Sequence, residues 1–356
     1  MERIAIGVSR PYDVLTGKGL LSRAGQEISK IHPCQRVAVI SDEHVDPLWG
    51  QGLRESLLQA GFQVFVHVIP AGDENKNPDT LVGALRFLAD AQITREDLVC
   101  ALGGGMVCDL AGFAAGIFLR GIGSVLIPTS LLCMTDACVG GKTAVNLPEG
   151  KNLCGVFHQP ELVLCDTDLL STLPGEEIIN GMAEAAKHML LTDWRMLLNP
   201  PRDFCAMPDE EKERFIAWNI RVKRDFVLAD EQDTGKRQLL NLGHTIGHAA
   251  EKLSGYALRH GEAVAIGLAA EIIGAVKTGE SDLALSDALQ IKKHLSGLLL
   301  PVSCDFSPLK IFQTALSDKK RRGDRLTLPV LTKGGAVLRS LSLEQIQKLI
   351  QAGIDA

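Results

Sequence analysis

The sequence predicts two domains of different class, an α/β domain in the first half and a helical domain in the second. Short β-branched runs alternate with helical patterns up to about residue 174, and beyond it the apolar periodicity becomes almost wholly helical. Size agrees with the division, because 356 residues are too many for one small domain and suit two or three.

In chain order, residues 36–41 (RVAVIS), 63–69 (QVFVHVI), 98–102 (LVCAL), 124–127 (SVLI) and 162–165 (LVLC) read as strands. Helical patterns such as 48–60 and 78–91 lie between them. Alternation of this kind implies parallel strands joined by crossover helices, a Rossmann-like arrangement. Polar residues and glycines follow several strands: Asp42 after the first, Gly103, Gly104 and Gly105 after the third, Thr129 and Ser130 after the fourth. Open parallel sheets bind ligands at the carboxyl ends of their strands, so these positions fit a cofactor site. The second half carries helical patterns at 176–191, 209–229, 235–254, 261–277 and 283–299, with a strand signal at 326–331. The predicted domains are 1–174 and 175–356.

Composition excludes several classes of function. Lys and Arg total 37 against 43 Asp and Glu, a formal charge of -6, which is no platform for a nucleic acid. Hydrophobic residues make up 46% and charged residues 22%, so a core forms and disorder is excluded. Nine cysteines occur without any C-x-x-C pair, which reads as reduced, structural thiols in a cytoplasmic protein. No cationic head followed by a long apolar run marks a signal peptide, and the greasiest stretch, 263–276, is short and interrupted by Glu271. The expectation is a soluble protein with a small-molecule partner and no membrane or nucleic-acid contact.

Four motifs carry chemistry. The glycines at 103–105 open a predicted helix, where a pyrophosphate can approach backbone N–H groups, although a tight strand-to-helix turn needs the same residues. The run 136–152 (DACVGGKTAVNLPEGKN) places Lys142, Lys151 and Asn152 in what read as glycine-containing loops, an arrangement that holds phosphate or carboxylate oxygens. Glu184 and Lys187 share one helical face, for which a surface ion pair is the ordinary reading. His244 and His248 lie at i and i+4, with His260 following; with a carboxylate they supply a zinc site or are three unrelated histidines, and spacing alone leaves both open. No Glu follows His244, so the H-E-x-x-H protease motif is absent. Arg237, Asn241, His244 and His248 recur at intervals of 4, 3 and 4, predicting one polar stripe on a single helix flanked by leucines, which reads as the lining of a cleft.

Taken in order, GGGMVCDLAGFAAGIFLRG, IPTSLL, VGGKTAVN, GKN, GMAEAAKH, NLGHTIGH and HGEAVAIG resemble the dehydroquinate synthase family of sugar phosphate cyclases, over about residues 36–332. The resemblance implies an NAD-binding α/β domain and a helical metal-binding domain with the active site in the cleft between them. It implies a divalent metal, zinc or cobalt, held by Glu184, His244 and His260, and it assigns His248 to substrate phosphate. Lys142, Asn152 and His248 would hold that phosphate, with Arg120 donated by a second subunit of a homodimer. Lys223, Arg237 and Asn241 would hold a carboxylate, Asp136 and Lys187 would meet hydroxyls, and Lys319 or Lys320 would also reach substrate. The implied NAD contacts are Asp42, Asp73, Lys76, Gly104, Gly105, Asp109, Thr129, Ser130, Lys142, Lys151 and Thr172.

The implied reaction turns 3-deoxy-D-arabino-heptulosonate 7-phosphate into 3-dehydroquinate and phosphate by transient oxidation with NAD, elimination, re-reduction and intramolecular aldol closure. An aminodehydroquinate-forming cyclase and a metal-dependent polyol dehydrogenase are the alternatives. The chain departs from the family pattern at Asp73 and Asp233, where Glu is common, at His158, where Tyr is usual, and at Cys108, where Gly is usual. The two Asp residues keep the charge but shorten its reach by one methylene.

Overall fold

The computed structural model describes residues 1–198, 200, 203–316, 321–322 and 324–356. The chain forms two compact units, one of residues 1–174 with 207–232 and the other of 175–206 with 233–356.

The first unit is built on a seven-stranded sheet in the order β1-β2-β9-β6-β5-β3-β4. The strands are β1 (Glu2–Ile6), β2 (Tyr12–Gly17), β3 (Arg36–Asp42), β4 (Gln63–Ile69), β5 (Leu98–Gly103), β6 (Gly123–Pro128) and β9 (Leu162–Asp166). All neighbours pair in parallel except β1 and β2, which form an antiparallel edge hairpin. The five β-branched runs are the five parallel strands that follow β2. β5 is buried along its whole length, as its unbroken apolar sequence requires when both faces are covered. Helices α1 (Ala24–Ile31), α2 (Gln51–Gln59), α3 (Pro78–Asp90) and α4 (Gly105–Ile117) supply the crossovers. From β3 the chain moves to β4 on one side and then to β5 on the other, so the order reverses at β3. A crevice at such a reversal is where open α/β sheets take ligands, and Asp42 and Gly104 stand at its two strand ends. Between β6 and β9, where the run 136–152 reads as loops around Lys142 and Lys151, residues 142–157 form an antiparallel hairpin of β7 (Lys142–Leu147) and β8 (Gly150–Phe157).

The sequence division at 174 assigns everything beyond it to the helical domain, and the structure corrects this for one helix. Helix α6 (Asp209–Ala229) packs on β1, β2 and the segment Cys133–Ala137 and belongs to the first unit. Its apolar face, Ile216, Ala217, Ile220 and Val227, is buried there. A helical period identifies the helix but not the sheet it covers.

The second unit holds α5 (Gly175–Asp193), α7 (His244–Leu253), α8 (His260–Lys277), α9 (Leu285–Gly297), α10 (Pro308–Leu316) and α11 (Leu343–Ile354). A small antiparallel sheet of β10 (Arg321–Arg322), β11 (Arg325–Thr332) and β12 (Gly335–Ser342) completes it. Helix α8 is mostly apolar, is buried along nearly its whole length and lies at the centre, touching α5, α7, α9 and α11. Where 235–254 reads as one helix, the structure has a short 3-10 helix (Lys236–Asn241), a break at Gly243 in the left-handed region (φ 81°), and then α7. Arg237 and Asn241 therefore do not share a continuous helix with His244 and His248. Among the described residues no helix is long and apolar enough to cross a membrane, and none of the nine cysteines is paired.

Candidate metal centre and anion-binding residues

In the second unit the apolar sequence around GMAEAAKHML turns α5 inward, so Glu184 and Lys187 form a buried ion pair with both side chains only 2% exposed. The surface pair that the spacing suggests is thus replaced by a charged couple inside the unit. Glu184 Oε1 also faces His260 Nε2 at 3.0 Å and His244 Nε2 at 3.4 Å. Glu184, His244 and His260 offer ligand atoms that all lie within 4.8 Å of one another. Two imidazoles and a carboxylate are a usual donor set for zinc or a similar divalent ion, so the residues fit the metal that the resemblance implies.

The two histidines differ in protonation. His244 Nδ1 meets the Leu242 carbonyl at 3.1 Å, so this nitrogen carries the proton and Nε2 keeps its lone pair toward Glu184. Burial, followed by the nearby Lys187 ammonium, pushes the His244 pKa down to about 3, which keeps the ring neutral. Burial also opposes the charged form of His260, but its hydrogen bond to Glu184 outweighs that and raises its pKa. For Glu184, burial works against ionisation, yet the Lys187 ammonium, helped by the hydrogen bond from His260, holds its pKa well below the ordinary carboxylate value.

His248 lies beside this group, its ring centroid 5.1 Å from that of His244 and 5.9 Å from that of His260. With Glu251 and His260 it forms a second, overlapping set of ligand atoms within 4.8 Å. The structure brings the three histidines together, as the H-x-x-x-H spacing allowed, and it adds Glu251. That carboxylate was missed, although its place at i+3 from His248 signals a shared face. Arg237 is 2% exposed, and Asn241 Nδ2 donates to the Gln238 carbonyl at 3.1 Å.

In the first unit a polar network ties the β7–β8 hairpin to the segment after β4. Lys76 Nζ donates to Asp109 Oδ2 at 2.5 Å and to Asn152 Oδ1 at 2.6 Å, joining α4 to β8. Asp73 pairs with Lys151 at 2.7 Å and accepts from Asn146 at 3.2 Å, so its shorter side chain still reaches both partners. Burial opposes the ionised form of Asp73, but Lys151 prevails and its pKa falls below the usual value. Asn152 sits at φ 53°, next to the hairpin turn.

Other predicted positions are also placed. Asp42 accepts from the backbone of His44 at 2.9 Å and Val45 at 3.0 Å, bracing the end of β3. Gly104 precedes the first turn of α4, with Gly105 as its first residue. Thr129 N donates to the Gly103 carbonyl at 2.9 Å, and Ser130 Oγ accepts from Cys133 N at 3.3 Å. Thr172 Oγ1 accepts from the Trp49 indole at 3.0 Å. Lys223, on α6, forms an ion pair with Asp136 and donates to its carbonyl at 2.6 Å. Lys142 opens β7 with its side chain exposed, and Arg120 is held at φ 72°. Lys319 and Lys320 lie outside the described residues.

A parallel sheet with a strand reversal, followed by a helical unit carrying an N, N, O donor set around the buried Glu184, places the chain in the fold class that includes the sugar phosphate cyclases. Among solved structures the chain is similar to 2-deoxy-scyllo-inosose synthase complexed with carbaglucose-6-phosphate, NAD+ and Co2+ (TM-score 0.86, 25% identity, 99% of each chain). It is similar too to ValA, the 2-epi-5-epi-valiolone synthase of Streptomyces hygroscopicus subsp. jinggangensis 5008 with NAD+ and Zn2+ bound (TM-score 0.84, 25% identity, 99% of each chain). Within that class the chain belongs to the 3-dehydroquinate synthase family, whose N-terminal model matches residues 66–180 and whose C-terminal model matches 181–321. The 3-dehydroquinate synthase of Agrobacterium fabrum is 42% identical over 338 residues, covering 91% of this chain and 88% of that protein.

Proposed function

We propose that this protein converts 3-deoxy-D-arabino-heptulosonate 7-phosphate into 3-dehydroquinate and phosphate, as a carbon–oxygen lyase that uses NAD and a divalent metal. The observation that carries the reading is the cluster of buried Glu184 with half-buried His244 and His260 in a chain of this family. A metal held by these three residues would supply Lewis acidity toward a substrate hydroxyl. NAD, held by the residues of the first unit named below, would supply reversible hydride transfer without net consumption.

The chain's own residues bind and orient. Lys142, Asn152 and His248 hold the phosphate, helped by Arg120 of the partner subunit in a homodimer. Lys223, Arg237 and Asn241 hold the carboxylate, and this is the feature that favours a sugar acid over the neutral sugar phosphates of other cyclases. Asp136 and Lys187 meet substrate hydroxyls; each already has an opposite charge at hand in the free protein, Lys223 and Glu184 respectively. Buried pairs of this kind keep the charges ionised and aimed before substrate arrives. Asp42, Asp73, Lys76, Gly104, Gly105, Asp109, Thr129, Ser130, Lys142, Lys151 and Thr172 serve NAD, and the Lys76, Asp109 and Asn152 network braces that region. Orientation and charge placement by these groups, with no dedicated protein base, account for the protein's share of the chemistry.

The test is to incubate zinc-loaded protein with the heptulosonate phosphate and a catalytic amount of NAD. Release of one phosphate per substrate without accumulating NADH is the expected result. Net NADH formation from a simple polyol would make the protein a dehydrogenase. Turnover of the amino analogue alone would move it to the aminodehydroquinate-forming cyclases.

A further inference from the structure

Two polar side chains of the second unit stand next to the ligand-bearing residues without having any assigned role. Glu271 is a carboxylate in the apolar middle of α8, flanked by Ala270 and Ile272 and only 4% exposed. Burying a carboxylate is costly unless hydrogen bonds replace its water. Here the replacement comes from the first turn of α7: Glu271 Oε2 accepts from Gly243 N at 2.7 Å and Oε1 from Ile246 N at 3.0 Å. His244 lies between those two donors in sequence. The residue that opens α7, Gly243, brings no side-chain cap of its own, so α8 supplies the cap from across the interface. An anion at a helix N-terminus also meets the positive end of the helix dipole.

Asn180 repeats the arrangement for the next ligand. It sits on α5 one turn before Glu184, and its Oδ1 accepts from Gly261 N at 2.6 Å. Gly261 follows His260 at the start of α8. Asn180 Nδ2 donates to Glu177 Oε2 at 2.9 Å, which fixes the amide's orientation.

These contacts close a relay. The helix that carries Glu184 sets the start of the helix that carries His260, through Asn180. That helix in turn sets the start of the helix that carries His244, through Glu271. Each bond falls on the backbone within two residues of a ligand, where an error of a few tenths of an ångström is passed directly to the imidazole. We propose that Glu271 and Asn180 are positioning residues of the metal centre, acting through the backbone beside His244 and His260. The proposal rests on the reading of Glu184, His244 and His260 as the ligands.

The test uses the full-length protein and two readouts that do not depend on turnover. Zinc affinity is measured by competition with a chromophoric chelator, and the visible spectrum is recorded after cobalt substitution. For Glu271→Gln and for Asn180→Ala the expected result is a loss of about 10- to 100-fold in zinc affinity, the range for residues that orient ligands. A displaced cobalt spectrum and NAD affinity within about twofold of wild type should accompany it, because the residues assigned to NAD lie in the other unit. Glu271→Asp, which keeps the charge one methylene short, should fall between wild type and Glu271→Gln. If Glu271→Gln does not fold, Asn180→Ala carries the same comparison with only a neutral cap removed. Wild-type zinc affinity and an unchanged cobalt spectrum in a folded variant, whatever its thermal stability, would overturn the proposal. Wild-type protein that itself binds no zinc would remove the ligand reading and the proposal with it.

Discussion

His260 is shared by two overlapping sets of ligand atoms, one completed by Glu184 and His244, the other by His248 and Glu251. Proximity does not choose between them, but charge and tautomer do. Glu184 faces His260 and His244 through their Nε2 atoms, and the Leu242 carbonyl holds the His244 proton on the opposite nitrogen. We therefore expect His244→Ala and His260→Ala to lose more than about 100-fold in zinc affinity, a larger loss than orienting residues give. His248→Ala should keep its zinc within about threefold and instead raise KM for the phosphorylated substrate about 10- to 100-fold, the size of one hydrogen bond to a charged group. Metal content after gel filtration, alongside steady-state kinetics, decides the matter. If His248→Ala emerges without zinc, the second set is the metal site. The histidines were legible because i, i+4 spacing survives in any helix. The burial of Glu184 with Lys187 was not, since the same i, i+3 spacing serves a solvated face and only the packing of α5 distinguishes them.

At the level of elements, strands were easier to read than breaks. The β-branched runs at 36–41 and 98–102 have no helical alternative that buries them, and they became β3 and β5. The pattern over 235–254 did have one, because Arg237, Asn241, His244 and His248 keep helical intervals across a glycine. What ends the first segment is tertiary: Gly243 lies left-handed, and any Cβ there would come within 2.7 Å of Leu268. The same close approach of α7 and α8 is visible from the other side, where a Cβ at Gly267 would lie 1.8 Å from the Gly243 carbonyl oxygen. Gly267→Ala must therefore push the two helices apart. We expect it to cost about 1–3 kcal/mol, the usual range for overpacking a core, and to lower the urea midpoint accordingly. Gly297→Ala, on a helix where an added Cβ meets nothing within 4 Å, is the control and should change stability by less than about 0.5 kcal/mol. Equal midpoints for the two variants would show that α7 and α8 are not fixed by that contact.

For the molecule as a whole, the order of residues along the chain and the order of packing part company at α6. The chain leaves the first unit at Pro174 and returns at Met207 to lay α6 over β1, β2 and the Cys133–Ala137 segment. A boundary drawn from periodicity alone misses such a return, since periodicity describes one helix at a time. The consequence is energetic. Ile216, Ile220 and Val227 are each 0% exposed, and burying side chains of this size contributes about 1.5–3 kcal/mol apiece. Their sum is comparable with the whole stability of an ordinary domain, about 5–15 kcal/mol. Lys223 on the same helix also supplies the counter-charge for Asp136. A fragment of residues 1–174 contains every strand of the seven-stranded sheet, and on sequence alone it is a complete domain. We expect it to lack a cooperative urea transition and a native near-ultraviolet circular dichroism signal, because it keeps the sheet but not the helix that covers β1 and β2. The full-length chain should show both. A sharp transition in the fragment would mean that the sheet holds without α6, and that the helix contributes to the site rather than to the stability of the unit that carries it.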